Sequence, residues 1–128
     1  VRPPKGHDVT KNLKVGLALG AAALGLVLMG AGGGGATIDS KRAHELVEKQ
    51  RAVLLDVRTP DEFAGGHLDG ATNIPVQELE ARLAQVPAKK DQDIVVYCRS
   101  GVRSAKAKAM LEKAGFTKVH DLGGIGNW

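Results

Sequence analysis

The apolar positions of this chain come in short blocks set apart by glycine, proline and charged residues. Residues 52–57 and 94–97 are compact runs rich in branched side chains, the pattern of strands covered on both faces of a parallel sheet. Residues 71–74 and 118–122 predict two shorter strands; Pro75 ends the first, and Gly123-Gly124 forms a turn after the second. Helical spacing fills the intervals. Asp39 or Ser40 can cap a helix through Ala43, Leu46 and Val47 that ends near Gln50. Thr59-Pro60-Asp61-Glu62 has the form of a helix start, with Thr59 as cap, Pro60 in the first turn and Glu62 closing a capping box. That helix stops by Gly65-Gly66. Leu79 and Leu83 share one face of a helix over 77–83, and a strongly helix-forming run begins at Ser104 and can end at Gly115. Strands alternating with helices predict an α/β fold, a small and mostly parallel sheet flanked by helices.

Ahead of these elements the pattern changes. Residues 1–14 are polar and basic, 15–29 are apolar with no polar face, and 30–35 are glycine apart from Ala31. A basic segment followed by an apolar one is the layout of an export signal, and Gly34 and Ala36 supply small residues for cleavage after Ala36. An uncleaved membrane anchor competes with it, because no charge occurs between Val15 and Ile38. Lys41, Arg42, Lys49 and Arg51 balance the basic residues before the stretch, so charge bias leaves its orientation open. The absence of a cysteine there rules out a lipid-anchored version. The expected division is therefore 1–36, an export signal or membrane anchor with a flexible glycine joint, and 37–128, the folded domain. The expected location is the periplasm or a membrane reached through residues 15–36, or the cytoplasm if that segment is not a targeting signal.

With 128 residues there is room for one domain and no second core. Arg2, Lys5, Lys11 and Lys14 against Asp8 contribute +3 of the formal +4, which leaves +1 from Val15 onward. A nearly neutral domain with few aromatic residues gives no footprint for nucleic acid. The single cysteine, Cys98, excludes an internal disulfide framework and every multi-cysteine metal motif. No metal or cofactor is called for, and a monomeric domain is expected.

Cys98 is also where the chemistry gathers. It ends the 94–97 strand and precedes a helix, so its thiol sits in a tight loop at the positive end of that helix. Gly101 lets the loop curl so that several N–H groups share a centre, and Arg99 and Arg103 add positive charge. All three influences favour thiolate, making Cys98 a nucleophile near neutral pH. Asp56 and Arg58 stand at the C-terminal end of the neighbouring strand, where open α/β sheets collect functional groups. His44 has no carboxylate–histidine ligand pattern around it and reads as ordinary; His67 has the chemistry of a general base, but a thiolate already stabilised by its loop has no need of one.

Cys98-Arg99-Ser100-Gly101-Val102-Arg103-Ser104 resembles the active-site loop of the rhodanese-like sulfurtransferases. Leu54-Leu55-Asp56-Val57-Arg58, Glu62-Phe63, Gly66-His67-Leu68-Asp69-Gly70-Ala71, Asn73-Ile74-Pro75 and Leu122-Gly123-Gly124 with Trp128 agree with it in order, over residues 37–128. Asp69 departs from the family's usual proline, and related domains often continue beyond the position of Trp128. The resemblance implies a rhodanese-like fold with Cys98 as nucleophile and Arg99, Ser100, Gly101, Val102 and Arg103 around the substrate. Asp56, Arg58 and Ser104 support the loop from behind. It implies transfer of sulfane sulfur from thiosulfate or a persulfide donor to cyanide or a thiol through a Cys98 persulfide. The partners would be a small sulfur-containing anion and a thiol acceptor, and Arg103 would hold the donor's oxyanion.

Two alternatives remain beside this reading. Phosphatases and arsenate reductases separate cysteine and arginine by five residues; here four lie between Cys98 and Arg103, a smaller cradle suited to one sulfur. A sulfur carrier or protein-binding domain with little thiosulfate turnover would use the same surface.

Overall fold

The structure is a computed structural model that describes residues 36–128, a stretch that forms one compact unit. Its four strands are β1 (Val53–Asp56), β2 (Thr72–Asn73), β3 (Ile94–Cys98) and β4 (Val119–Gly124). They form one sheet in the order β2-β1-β3-β4, and every neighbouring pair is parallel. The α/β architecture with a small parallel sheet is thus as expected.

Helices cover both faces, as a parallel sheet requires. Helix α1 (Ser40–His44) is capped by Asp39, whose carboxylate accepts the Arg42 N–H at 2.9 Å, and it continues as one π turn, Glu45–Lys49. Arg51, at φ 59°, then reverses the chain into β1. Helix α2 (Pro60–Ala64) has the full Thr59–Glu62 capping box. Helix α3 (Val76–Leu79) gives way to a 3-10 segment, Glu80–Gln85, instead of running unbroken through Leu83. That segment is itself kinked at Arg82, whose φ of −117° and ψ of 25° are not helical. Helix α4 spans Val102–Lys113.

The core lies in two layers that the period-2 alternation of the strands creates. Ile94, Val96 and Cys98 face one side with Leu55, Val57, Leu79, Ala107 and Leu111. Val95 and Tyr97 face the other with Leu54, Ala43, Leu46 and Leu122. Cys98 therefore points to the face covered by α4. All five residues of β3 are buried, which is why this stretch reads as an unbroken apolar run.

Two expectations need correction. Gly123 and Gly124 are not a turn: they extend β4 and pair with Tyr97 and Cys98 after a register shift. The Asp121 carboxylate accepts the Gly123 N–H at 2.8 Å, and Gly123 adopts φ +85°, so the strand bulges and continues. The second correction concerns the membrane. Among the described residues no helix is long and apolar enough to cross one. The expectations of a membrane anchor, membrane association, an export signal and a periplasmic location find no support there and are not carried further; residues 15–35, which prompted them, lie outside the described residues.

Candidate active site

The β3 strand ends at Cys98, and residues 99–101 bend the chain directly into α4. Gly101 caps that helix at φ +115°, a left-handed conformation that an L side chain would strain. The bend aims backbone donors at the sulfur: Gly101 N–H donates to Cys98 Sγ at 2.9 Å and Ser104 N–H at 3.3 Å. The helix begins at Val102, two residues before the expected start, so Val102, Arg103 and Ser104 form its first turn. The cradle accordingly includes the N–H of Ser104, the residue at which the sequence places the start of the helix.

Cys98 is fully buried, and burial alone would push its thiol up. Hydrogen bonds from the Ser104 hydroxyl and from the N–H groups of Ser104, Gly101 and Ser100 outweigh that effect, and the net direction is down. In the structure the Ser104 hydroxyl donates to the Gly101 carbonyl at 3.1 Å. It holds one proton, which can turn to the sulfur when that atom gains charge. A buried thiol that nevertheless favours its charged form is a nucleophile prepared by its backbone.

The other predicted residues separate into rim and support. Arg99 and Ser100 are exposed at the loop. Val102 is 77% exposed, an unusual setting for a large apolar side chain. Arg103, which the sequence assigns to a donor's oxyanion, has its guanidinium engaged by Glu62. Nη1 donates to Oε1 at 2.7 Å and Nη2 to Oε2 at 3.0 Å. This hydrogen-bonded pair, together with the Thr59 N–H, lowers the Glu62 carboxyl to about 2. The Arg103 pKa moves up, chiefly through Glu62 and in smaller part through the Cys98 charge. Glu62 had only a capping role in the sequence reading. Nothing local links it to a residue 41 positions away.

Asp56 and Arg58 form a buried pair. Arg58 Nη2 donates to Asp56 Oδ2 at 2.7 Å, and the Arg58 backbone N–H donates to Asp56 Oδ1 at 2.9 Å. The guanidinium lies 5.6 Å from the centre of the Tyr97 ring and also donates to the Gly66 carbonyl at 2.8 Å. Tyr97 in turn accepts the Leu68 N–H at 3.1 Å. Segment 62–68 is thus pinned at three points, by Arg103, Arg58 and Tyr97. His67 donates through Nδ1 to the Phe63 carbonyl at 2.9 Å and stacks on the Phe63 ring. No group of three or more metal-ligating side chains occurs among the described residues.

A cysteine cradled by backbone N–H groups at the C-terminal end of a parallel sheet defines an α/β domain built around a stabilised thiolate. The match to known proteins makes the class specific. The rhodanese-like domain family matches residues 39–128, and the chain belongs to the family of rhodanese-like sulfurtransferases. It is 40% identical over 93 residues to a protein named sulfurtransferase from Allochromatium vinosum, covering 71% of this chain and 85% of that one. It is 41% identical over 80 residues to the uncharacterized protein YqhL of Bacillus subtilis, covering 62% of each. Among solved structures, the human single-domain sulfurtransferase TSTD1 superposes with a TM-score of 0.63 at 31% identity, covering 74% of this chain and 93% of that one.

Proposed function

We propose that residues 37–128 form the working domain and that it transfers sulfane sulfur through a persulfide on Cys98. The observation that carries this reading is the convergence of the Gly101 and Ser104 N–H groups on Sγ at the start of α4. Such donors stabilise a sulfur anion in place, without reorganisation at the moment of reaction.

In the first half-reaction the Cys98 thiolate attacks the outer sulfur of the donor. With thiosulfate, the Cys98 S–S bond forms, the donor's S–S bond breaks and sulfite leaves with the bonding pair. In the second half-reaction an acceptor attacks the terminal sulfur and the Cys98 thiolate leaves. Cyanide would depart as thiocyanate, and a thiolate as its persulfide. Two half-reactions through a covalent intermediate give ping-pong kinetics. Ser104 supports the sulfur from within the helix. The Asp56–Arg58 pair ties down segment 62–68 through the Gly66 carbonyl.

The test is intact mass of the full chain before and after thiosulfate or a persulfide donor, beside Cys98→Ser. The expected gain is one sulfur, about 32 mass units, on the native chain only, removed by cyanide or a thiol over many cycles. Loading that is never turned over would identify a carrier; no loading from any donor would overturn sulfur transfer.

A further inference from the structure

The carboxylate of Glu62 stands beside the reactive loop and is held too firmly to be a passive neighbour. Its Oε1 accepts from three donors: Arg103 Nη1 at 2.7 Å, the Thr59 N–H at 3.0 Å and the Thr59 hydroxyl at 3.2 Å. Its Oε2 takes the second arm of Arg103 at 3.0 Å. Glu62 is thus fixed at the start of α2 independently of Arg103, and an arriving anion must compete for that guanidinium with a carboxylate already in place. The negative charge is therefore permanent at neutral pH, since the carboxyl titrates near 2.

Arg103 itself lies in the first turn of α4, five positions beyond Cys98, where the thiolate charge reaches it. With Glu62 in place, that guanidinium offers an anion little net attraction, because a fixed opposite charge neutralises it at hydrogen-bond distance. The neighbouring residue, Val102, meanwhile presents an apolar side chain to solvent. A cradle with a neutralised arginine beside an exposed valine suits a donor of low charge with an apolar body.

We propose that Glu62 sets donor selectivity. By holding Arg103 it disfavours dianionic donors such as thiosulfate and favours sulfane sulfur carried by an organic persulfide whose body is uncharged, a donor with at most one negative charge. The inference rests on the sulfur-transfer reading above and specifies its donor. The step balances: Cys98 thiolate attacks the outer sulfur of R–S–SH, the Cys98 S–S bond forms, and R–S leaves as a thiolate with the bonding pair. The proton stays on the transferred sulfur, so no external oxidant or reductant is needed.

The experiment measures kcat/KM on the full chain with thiosulfate and with the persulfide of N-acetylcysteine methyl ester. Glu62→Gln removes the charge and leaves an oxygen to accept from Thr59. Its ratio of kcat/KM, thiosulfate over persulfide, is expected to rise about tenfold, mainly through a lower KM for thiosulfate. In an Arg103→Gln background the same change is expected to leave the ratio where it was, a result that a purely structural role for Glu62 does not predict. A ratio unmoved by Glu62→Gln, or a higher KM for thiosulfate, overturns the proposal while sulfur transfer stands. Failure of both donors to load Cys98 in the native chain overturns sulfur transfer itself.

Discussion

A Cβ on Gly124 would lie 2.5 Å from the carbonyl oxygen of Arg99. The end of β4 therefore touches the backbone of the reactive loop with no room for a side chain. Gly101 is close by as well, since its own Cβ would meet Gly123 Cα at 3.8 Å. The glycines at the end of β4 let a strand and a loop approach at backbone distance, and the loop takes its shape against that strand.

Gly124→Ala should accordingly damage catalysis. Arg99 O must move by several tenths of an ångström, and the N–H groups that converge on Sγ move with it. Misplacement on this scale lowers rates by up to about 10²-fold in positioned active sites. Single-turnover loading of Cys98 from a persulfide donor checks this; a native loading rate in the variant would show that the loop is not set by β4.

The thiol should ionise below its ordinary value of 9.0. Burial opposes this, and the Ser104, Gly101 and Ser100 donors reverse it, so the thiolate fraction at pH 7 exceeds that of a free cysteine. Alkylation by iodoacetamide followed against pH should inflect below 9.0 in the native chain. In Ser104→Ala, which loses the hydroxyl, the inflection should move up. An unchanged inflection would remove the Ser104 hydroxyl from the cradle and leave only its N–H.

Asp56→Ala should be strongly destabilising. Arg58 has only 7% of its side chain exposed, and it would lose the carboxylate that compensates its charge. Removing one partner of a buried pair costs about 3–5 kcal/mol. Urea unfolding of the native and variant chains measures it, with loss of the midpoint as the expected result.

Tyr97→Phe separates packing from hydrogen bonding at the same wall. The ring and its place over Leu46 and Leu54 remain, but the Leu68 N–H loses its acceptor. The expected loss of stability is about 0.5–1.5 kcal/mol, the net worth of one hydrogen bond at a half-buried site. Exchange of the Leu68 amide hydrogen should quicken beyond the change in global stability, because segment 62–68 loses one of its three fastenings.

Glu62 should add an acid-dependent component to stability. Its folded carboxyl sits near 2 against an ordinary 4.5, so its contribution is fully present above pH 4.5 and disappears as pH falls toward 2. Denaturant midpoints taken through that window should fall less steeply in Glu62→Gln than in the native chain. Parallel curves would mean that the ion pair with Arg103 does not survive in solution.

Several features of this protein were decided by local chemistry and could be read in order along the chain. The β3 block 94–97 announces a strand buried on both faces because every side chain in it is apolar or aromatic and most are branched. The Thr59–Glu62 capping box appears as read because both partners lie within one turn. Cys98 at a strand end before a helix, with Gly101 to turn the chain, contains its cradle in seven consecutive residues. Where local signals ran short, the reading was less complete. The pair Gly123-Gly124 looked like a turn, because flexibility and close approach use the same residue.

Only the tertiary structure determined which distant groups meet. Glu62 reaches Arg103 across 41 positions, and Gly124 reaches Arg99 across a strand pairing. Tyr97 fastens Leu68 from 29 positions away. Each of these contacts depends on parallel strands brought into register by crossover connections and by burial on two faces, which no local spacing encodes. The sequence determined what the reactive loop is made of; the packing of α2 and β4 against it decided how its charge and shape are held.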